Sequence, residues 1–120
     1  MKINFKRLDH VQLIIPKEKE QEARDFYTGI LGLEEIPKPD VLKPTGGVWF
    51  RMGEIELHLG VEEPKLTKRH PAFEVNELDK IKGYLISHGV TVKDEIQVPG
   101  RKRFSFFDPF GNRIELVEKG

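Results

Sequence analysis

Two histidines and two glutamates recur at nearly the same spacing along this chain of 120 residues. His10 heads the segment HVQLII and His70 heads HPAFEV, 60 residues later. The tripeptide IEL contains Glu56 in the first half and recurs with Glu115 in the second, 59 residues later. Independent surface residues have no reason to recur in pairs, and imidazole and carboxylate groups are ligands for divalent transition metals. The pattern therefore predicts a metal site formed by His10, Glu56, His70 and Glu115.

The fourth ligand has two candidates, since His58 lies two residues after Glu56. Side chains alternate between the faces of a strand, so Glu56 and His58 are expected to point the same way. The internal repeat favours Glu56, whereas the general suitability of imidazole for these metals favours His58. Whichever of the two does not bind the metal is a candidate catalytic base or hydrogen-bond donor in the pocket.

Candidate substrate-binding residues lie next to these segments. Arg103 belongs to a short basic run that either anchors an anionic substrate or forms a solvated turn, because guanidinium binds carboxylate and phosphate in a bidentate manner. Trp49 precedes the Glu56 strand and is either a core residue or a wall of an apolar pocket. The role of Arg51 is open between the same alternatives.

The elements that position these residues follow the order β-α-β-β-β, twice. Hydrophobic periodicity and Gly/Pro breakers predict in the first half a strand at 8–15, a helix at 17–31, a strand at 33–36, a loop at 37–47 and strands at 48–52 and 54–61. After a linker at 62–69, the second half is predicted to have a strand at 73–75, a helix capped by Asn76 and ended by Gly89, and strands at 90–98, 102–107 and 113–117. If the Ile and Leu residues of the IEL tripeptides pack under the helices, both glutamates face the opposite side.

Composition limits the remaining possibilities. The length fits a single domain, with one module at about 1–62 and the other at about 68–120. The 20 basic and 20 acidic residues cancel, which does not favour nucleic-acid binding, and no apolar run approaches a membrane span. We therefore expect a cytoplasmic protein. The absence of cysteine excludes disulfides and thiolate ligands, so His, Glu or Asp would hold a Zn, Ni, Mn, Fe or Co ion.

Four segments carry a resemblance to a known family. They are DHVQL at 9–13, FY and LGL within 26–33, HPAFEV at 70–75 and FDPFGNRIEL at 107–116. Together they resemble the vicinal oxygen chelate superfamily, which includes glyoxalase I, fosfomycin-resistance proteins, methylmalonyl-CoA epimerase, extradiol dioxygenases and bleomycin-resistance proteins. The resemblance implies an α+β fold of two tandem βαβββ modules, which form a curved, barrel-like mixed sheet with the helices outside.

The resemblance also carries expectations about the site and the reaction. It places metal ligands at His10, His70 and Glu115, and the variable fourth ligand at Glu56. It implies a homodimer and a lyase or isomerase in which the metal chelates neighbouring oxygens of a small substrate. The alternatives are a fosfomycin-type thiol transferase and a metal-free drug-binding protein of the bleomycin-resistance type. Whether the site lies within one chain or between two stays open.

Overall fold

The computed structural model describes residues 1–120, and each half of the chain folds as one βαβββ unit. The first unit, Met1–Glu62, contains β1 (His10–Ile15), α1 (Glu20–Tyr27), β2 (Glu34–Ile36), a 3₁₀ helix (Asp40–Thr45), β3 (Val48–Met52) and β4 (Ile55–Val61). The second unit, Glu63–Gly120, contains β5 (Ala72–Glu74), α2 (Leu78–Ser87), β6 (Thr91–Asp94), β7 (Arg101–Phe107) and β8 (Arg113–Lys119). The predicted α+β class and element order are confirmed.

The two units have the same sheet topology. The strand order is β1-β4-β3-β2 in the first sheet and β5-β8-β7-β6 in the second. In each sheet the first strand of the unit pairs in parallel with the last, and the other neighbours are antiparallel. The strands thus form two four-stranded mixed sheets, one per unit, and no closed barrel.

One face of each sheet is apolar and is covered by the helix of its own unit. In the first unit Leu57 lies opposite Phe50, and the Phe50 ring lies 5.5 Å from that of Tyr27 on α1. In the second unit the buried Phe104 lies below α2, whose Lys82 Nζ is 5.8 Å from the ring centroid. Because side chains alternate along a strand, the residues between these apolar ones lie on the opposite face of each sheet, which we call the polar face.

The α2 N-terminus differs from the prediction that Asn76 would cap it. Glu77 occupies the N-cap position with a left-handed backbone (φ 58°) and makes no side-chain cap. The carboxylate of Glu118, on β8, accepts hydrogen bonds from the backbone N–H groups of Glu77 (3.2 Å) and Leu78 (3.1 Å) instead. The free N–H groups of a helix start are satisfied by any well-placed acceptor, and here it comes from 40 residues away.

Other boundaries shift for local reasons. The predicted loop at 37–47 contains the 3₁₀ helix, and α1 begins three residues after Lys17. The strand predicted at 90–98 ends at Asp94, because the next residue, Glu95, bonds to side chains of β7 and β8. Neither helix has the length and apolar character needed to cross a bilayer.

The first core is expected to be sensitive to loss of volume. Leu57→Ala should lower the free energy of unfolding by about 2–5 kcal/mol, since it leaves a cavity under α1. Leu66→Ala is the matched control, because Leu66 is fully exposed, and should change stability by less than about 0.5 kcal/mol. Urea unfolding followed by circular dichroism measures both, and equal effects would contradict the assignment of this face to the core.

A second stability prediction concerns Glu20, whose Oε2 accepts a hydrogen bond from the Gly47 N–H at 2.8 Å. This backbone bond lowers the pKa of Glu20 below its ordinary value of 4.5. The carboxylate therefore contributes stability above pH 4.5, which is lost as the pH falls through the lowered pKa. The stability difference between the wild type and Glu20→Gln should be larger at neutral pH than in acid. A difference in urea midpoint that does not change with pH would be inconsistent with this role.

Candidate metal centre

The polar face of the first sheet carries one of the two predicted histidine–glutamate pairs. His10 on β1 lies directly opposite Glu56 on β4 in the parallel register. Both residues lie on the face away from Leu57, because Leu57 follows Glu56 in the strand. The Glu56 side chain is 31% exposed, so its carboxylate is accessible from solvent.

The His10 ring is oriented by its neighbour in sequence. Its Nδ1 lies 2.8 Å from Oδ2 of Asp9, and this hydrogen bond lowers the pKa of the Asp9 carboxyl. A neutral imidazole carries one proton, so a ring that donates from Nδ1 has its lone pair on Nε2. Metal-binding histidines usually donate their second ring N–H to a carboxylate or carbonyl in this way. The contact with Asp9 favours the tautomer that leaves Nε2 of His10 able to bind a metal.

His58 lies between the other two rings of this face. Its ring centroid is 3.7 Å from that of Trp49, with an interplanar angle of 3°, and 4.2 Å from that of His10, with an angle of 18°. Its Nε2 lies 2.9 Å from Oε1 of Glu56. The His58 side chain is 7% exposed, so this contact is shielded from solvent on the imidazole side.

The second unit holds its glutamate more tightly. The Glu115 side chain is 7% exposed, with Oε1 at 3.0 Å from His70 Nε2 and Oε2 at 3.3 Å from an Arg103 guanidinium nitrogen. Arg103 is itself fixed, since its Nε donates to the carbonyl of Ile96 at 2.9 Å. The guanidinium offsets the charge of a carboxylate that would be costly to bury alone.

His70 has a hydrogen-bond acceptor at each ring nitrogen. Its Nδ1 lies 2.8 Å from the carbonyl oxygen of Lys68, and its Nε2 faces the Glu115 carboxylate. Two acceptors are satisfied either by a doubly protonated ring or by a neutral ring with a cation beside Nε2. The 3.0 Å separation of His70 Nε2 and Glu115 Oε1 is that of a direct hydrogen bond, and both atoms are of the types that would bind a divalent ion.

The two histidines do not occupy equivalent positions in the two sheets. Glu56 is opposite His10, whereas Glu115 is opposite Ala72, two residues after His70. The two glutamates do occupy equivalent positions. The backbone N–H of Glu56 donates to the carbonyl oxygen of Asp9, and that of Glu115 donates to the carbonyl oxygen of Pro71. The sequence repeat thus predicts the common fold of the two units and the equivalent positions of the two glutamates. The histidines are offset from each other by two positions in the register.

The predicted site residues fall into two groups, one in each unit. In the first unit the structure brings together His10, Glu56, His58 and Trp49, and in the second His70, Glu115 and Arg103. Arg51 lies opposite Glu56, on the same face of the first sheet, and is exposed. Within each unit, no group of three or more His, Asp or Glu side chains is arranged to hold a metal ion.

Sequence reasoning missed two polar contributions. One is Asp9, which could have been noticed because it directly precedes His10. The other is a cluster on the polar face of the second sheet, where the Glu95 carboxylate accepts hydrogen bonds from Ser105 Oγ and the Arg113 guanidinium. The Ser105 bond and then Arg113 lower the pKa of Glu95. No local signal marks this cluster, because the hydrophobic pattern predicts a continuous strand through Glu95 and its partners lie 10 and 18 residues away.

Comparison with known proteins decides the family. The sequence profile of the Glyoxalase/Bleomycin resistance protein/Dioxygenase superfamily matches residues 7–116. The chain belongs to this superfamily. Among proteins of curated function, none matches the sequence.

Solved structures agree with this membership. A glyoxalase family protein from Bacillus anthracis is 45% identical, with 100% of both chains covered and a TM-score of 0.92. A lactoylglutathione lyase from Agrobacterium tumefaciens is 22% identical (93% of this chain, 92% of that chain, TM-score 0.74). The fosfomycin resistance protein FosX from Listeria monocytogenes is 20% identical (98% and 96%, TM-score 0.76). At these two lower identities the likeness shows a shared glyoxalase-superfamily fold.

Proposed function

We propose that this superfamily member is a divalent-metal-dependent enzyme of the lyase or isomerase type. Its substrate would be a small, oxygen-rich compound, such as an α-dicarbonyl derivative, that presents two neighbouring oxygens. The proposed ligands are His10, Glu56, His70 and Glu115. The bound ion would act as a Lewis acid that stabilises negative charge on the substrate oxygens.

The observation that carries the proposal is the environment of His70. Its Nδ1 is committed to the Lys68 carbonyl, while its Nε2 faces a buried carboxylate at 3.0 Å. A cation beside Nε2 would bind the imidazole lone pair and the Glu115 oxygen next to it. His10 supports the same conclusion, since Asp9 holds its ring with the Nε2 lone pair available.

The choice of Glu56 over His58 as fourth ligand has similar support. Both His10 and His70 have an oxygen acceptor at Nδ1, which leaves Nε2 for a metal. His58 has no such acceptor at Nδ1, and its Nε2–H is positioned to donate a hydrogen bond to Glu56. His58 therefore fits the role of hydrogen-bond donor to the ligand better than the role of ligand.

The two glutamates are suited to different tasks. Glu115 is buried and held by Arg103, so it is suited to stay on the metal. Glu56 is more exposed and has one side-chain partner, His58, so it is the carboxylate free to accept and return a substrate proton. Arg51 and Trp49 lie on the same face of the sheet as Glu56, and are the proposed substrate contacts of this unit. Arg103 is the proposed substrate contact of the second unit, where its guanidinium lies beside Glu115.

Members of the superfamily commonly dimerise, and we propose that this chain also acts as a homodimer. Light scattering of the purified protein measures its mass directly.

Metal content tests the proposed function. Protein purified without chelator or affinity metal should contain close to one equivalent of a divalent ion, measured by elemental analysis. The variant His70→Ala/Glu115→Ala should lose it, because one imidazole and the buried carboxylate are removed. The matched control His88→Ala/Glu63→Ala removes the same two residue types at exposed positions and should retain the metal.

Failure of the wild-type protein to bind metal would reject the proposed function. If the wild type binds none of Zn²⁺, Ni²⁺, Mn²⁺, Fe²⁺ or Co²⁺ when each is supplied, the enzyme proposal fails. That result would favour the alternative of a metal-free protein that binds an apolar ligand. Preferential activation by Mn²⁺ with transfer of a thiol to fosfomycin would support the alternative thiol transferase instead.

Glu56→Gln separates metal binding from proton transfer. An amide oxygen can still coordinate a metal but is a poor base, so the variant should keep most of its metal and lose about 10²–10⁴-fold in kcat. The assay is isomerisation of thiol adducts of small α-dicarbonyl compounds by the metal-loaded protein. Glu54→Gln, in the exposed turn before β4, is the control and should be fully active. Undiminished kcat in Glu56→Gln would exclude Glu56 as the base.

A further inference from the structure

His58 is the centre of a stack of three rings on the polar face of the first sheet. Trp49 is its antiparallel partner on β3, which explains the near-parallel stacking at 3.7 Å. The parallel partner of His58 on β1 is Gln12, so the His10 ring lies diagonally over His58, at 4.2 Å. Both faces of the His58 ring are thereby covered, and the rotation of the ring is restricted.

The edge of the same ring fixes the Glu56 carboxylate. His58 Nε2 lies 2.9 Å from Glu56 Oε1, and this is the only side-chain hydrogen bond of Glu56. In the second unit the equivalent glutamate, Glu115, has both His70 and Arg103 as partners. The position equivalent to His58 there is Val117, since the two follow Glu56 and Glu115 by two residues on β4 and β8. The first unit thus has its own means of orienting a glutamate.

We infer that His58 is a positioning residue, which holds the Glu56 carboxylate and the His10 ring in the orientations that bind metal. The inference rests on the proposed metal site, and it assigns His58 neither to the metal nor to the substrate. A half-buried glutamate held in one rotamer by a restricted donor loses less conformational freedom when it binds an ion. Partners that orient metal ligands in this way typically change metal affinity by about 10–100-fold when they are removed.

Three variants at this position separate the hydrogen bond from the stack. His58→Phe keeps a ring between Trp49 and His10 but removes the donor, so metal binding should weaken by about 10–100-fold with unchanged stoichiometry. His58→Gln keeps an N–H donor without the ring and should recover part of that loss. His58→Ala lacks both and should have the weakest binding of the three. Isothermal titration of the apoprotein with Zn²⁺ or Ni²⁺ measures each affinity.

The fluorescence of Trp49 gives a second readout that needs no metal, because it is the only tryptophan. Removing the stacked ring in His58→Ala should change the emission of the apoprotein, whereas His58→Phe should change it less. Metal binding at His10 in the wild type should also alter the emission through the stack. His88→Phe is the matched control, since it replaces an exposed histidine on the helix of the second unit, and should leave both emission and affinity unchanged.

A double-mutant cycle tests whether His58 affects metal affinity through its hydrogen bond to Glu56. If His58 acts on the metal through its bond to Glu56, His58→Phe should have little further effect on affinity in the Glu56→Ala background. Wild-type affinity in His58→Phe would overturn the inference while leaving the metal site intact. Loss of metal stoichiometry in His58→Phe with full binding in Glu56→Ala would also overturn it, because His58 would then be the ligand. No metal binding by the wild type would reject the proposed function, and the inference with it.

Discussion

The alternation of side chains along β4 and β8 is the constraint on which the candidate site depends. Leu57 and Leu116 are buried on the apolar side of their sheets, and this fixes the direction of the adjacent Glu56 and Glu115. A slip of one residue in either strand would expose the leucine and place a carboxylate against the helix, where burial of an unpaired charge is costly. The hydrophobic effect that stabilises each unit therefore also places its carboxylate on the polar face.

The two units use this common frame differently. Glu115 is enclosed and held by a cation, so its charge is balanced within the second unit even without a metal. Glu56 is held by an imidazole that carries no fixed charge, and it keeps contact with solvent. A carboxylate in the first environment favours permanent coordination, whereas one in the second can exchange between coordination and proton transfer at lower cost. The same strand position therefore has two different environments in the two units.

The sequence predicted the features that depend on local pattern. Periodicity indicated both βαβββ units, and the repeated IEL tripeptide located the equivalent glutamates on strands. Apart from Asp9, the features that were missed depend on residues distant in the chain, such as the capping of α2 by Glu118 rather than Asn76, or the contact of Arg103 with Glu115. Strand register is also decided by distant residues. The similar offsets of 60 and 59 residues suggested that His10 and His70 are equivalent, but strand pairing sets Ala72 opposite Glu115. The hydrophobic pattern decides which face each strand buries, but by itself it does not distinguish registers that differ by two residues.

The side chains of the candidate site differ in how far along the chain their hydrogen-bond partners lie. The Nδ1 partners of His10 and His70 lie one and two residues away. The partner of Glu56, His58, lies two residues away on the same strand, whereas the partners of Glu115 lie 12 and 45 residues away. Local contacts form wherever the segment is ordered, whereas tertiary contacts need the whole unit to be folded. The Nδ1 contacts of His10 and His70 and the bond between Glu56 and His58 are therefore encoded locally, whereas the orientation of Glu115 is a property of the completed second sheet.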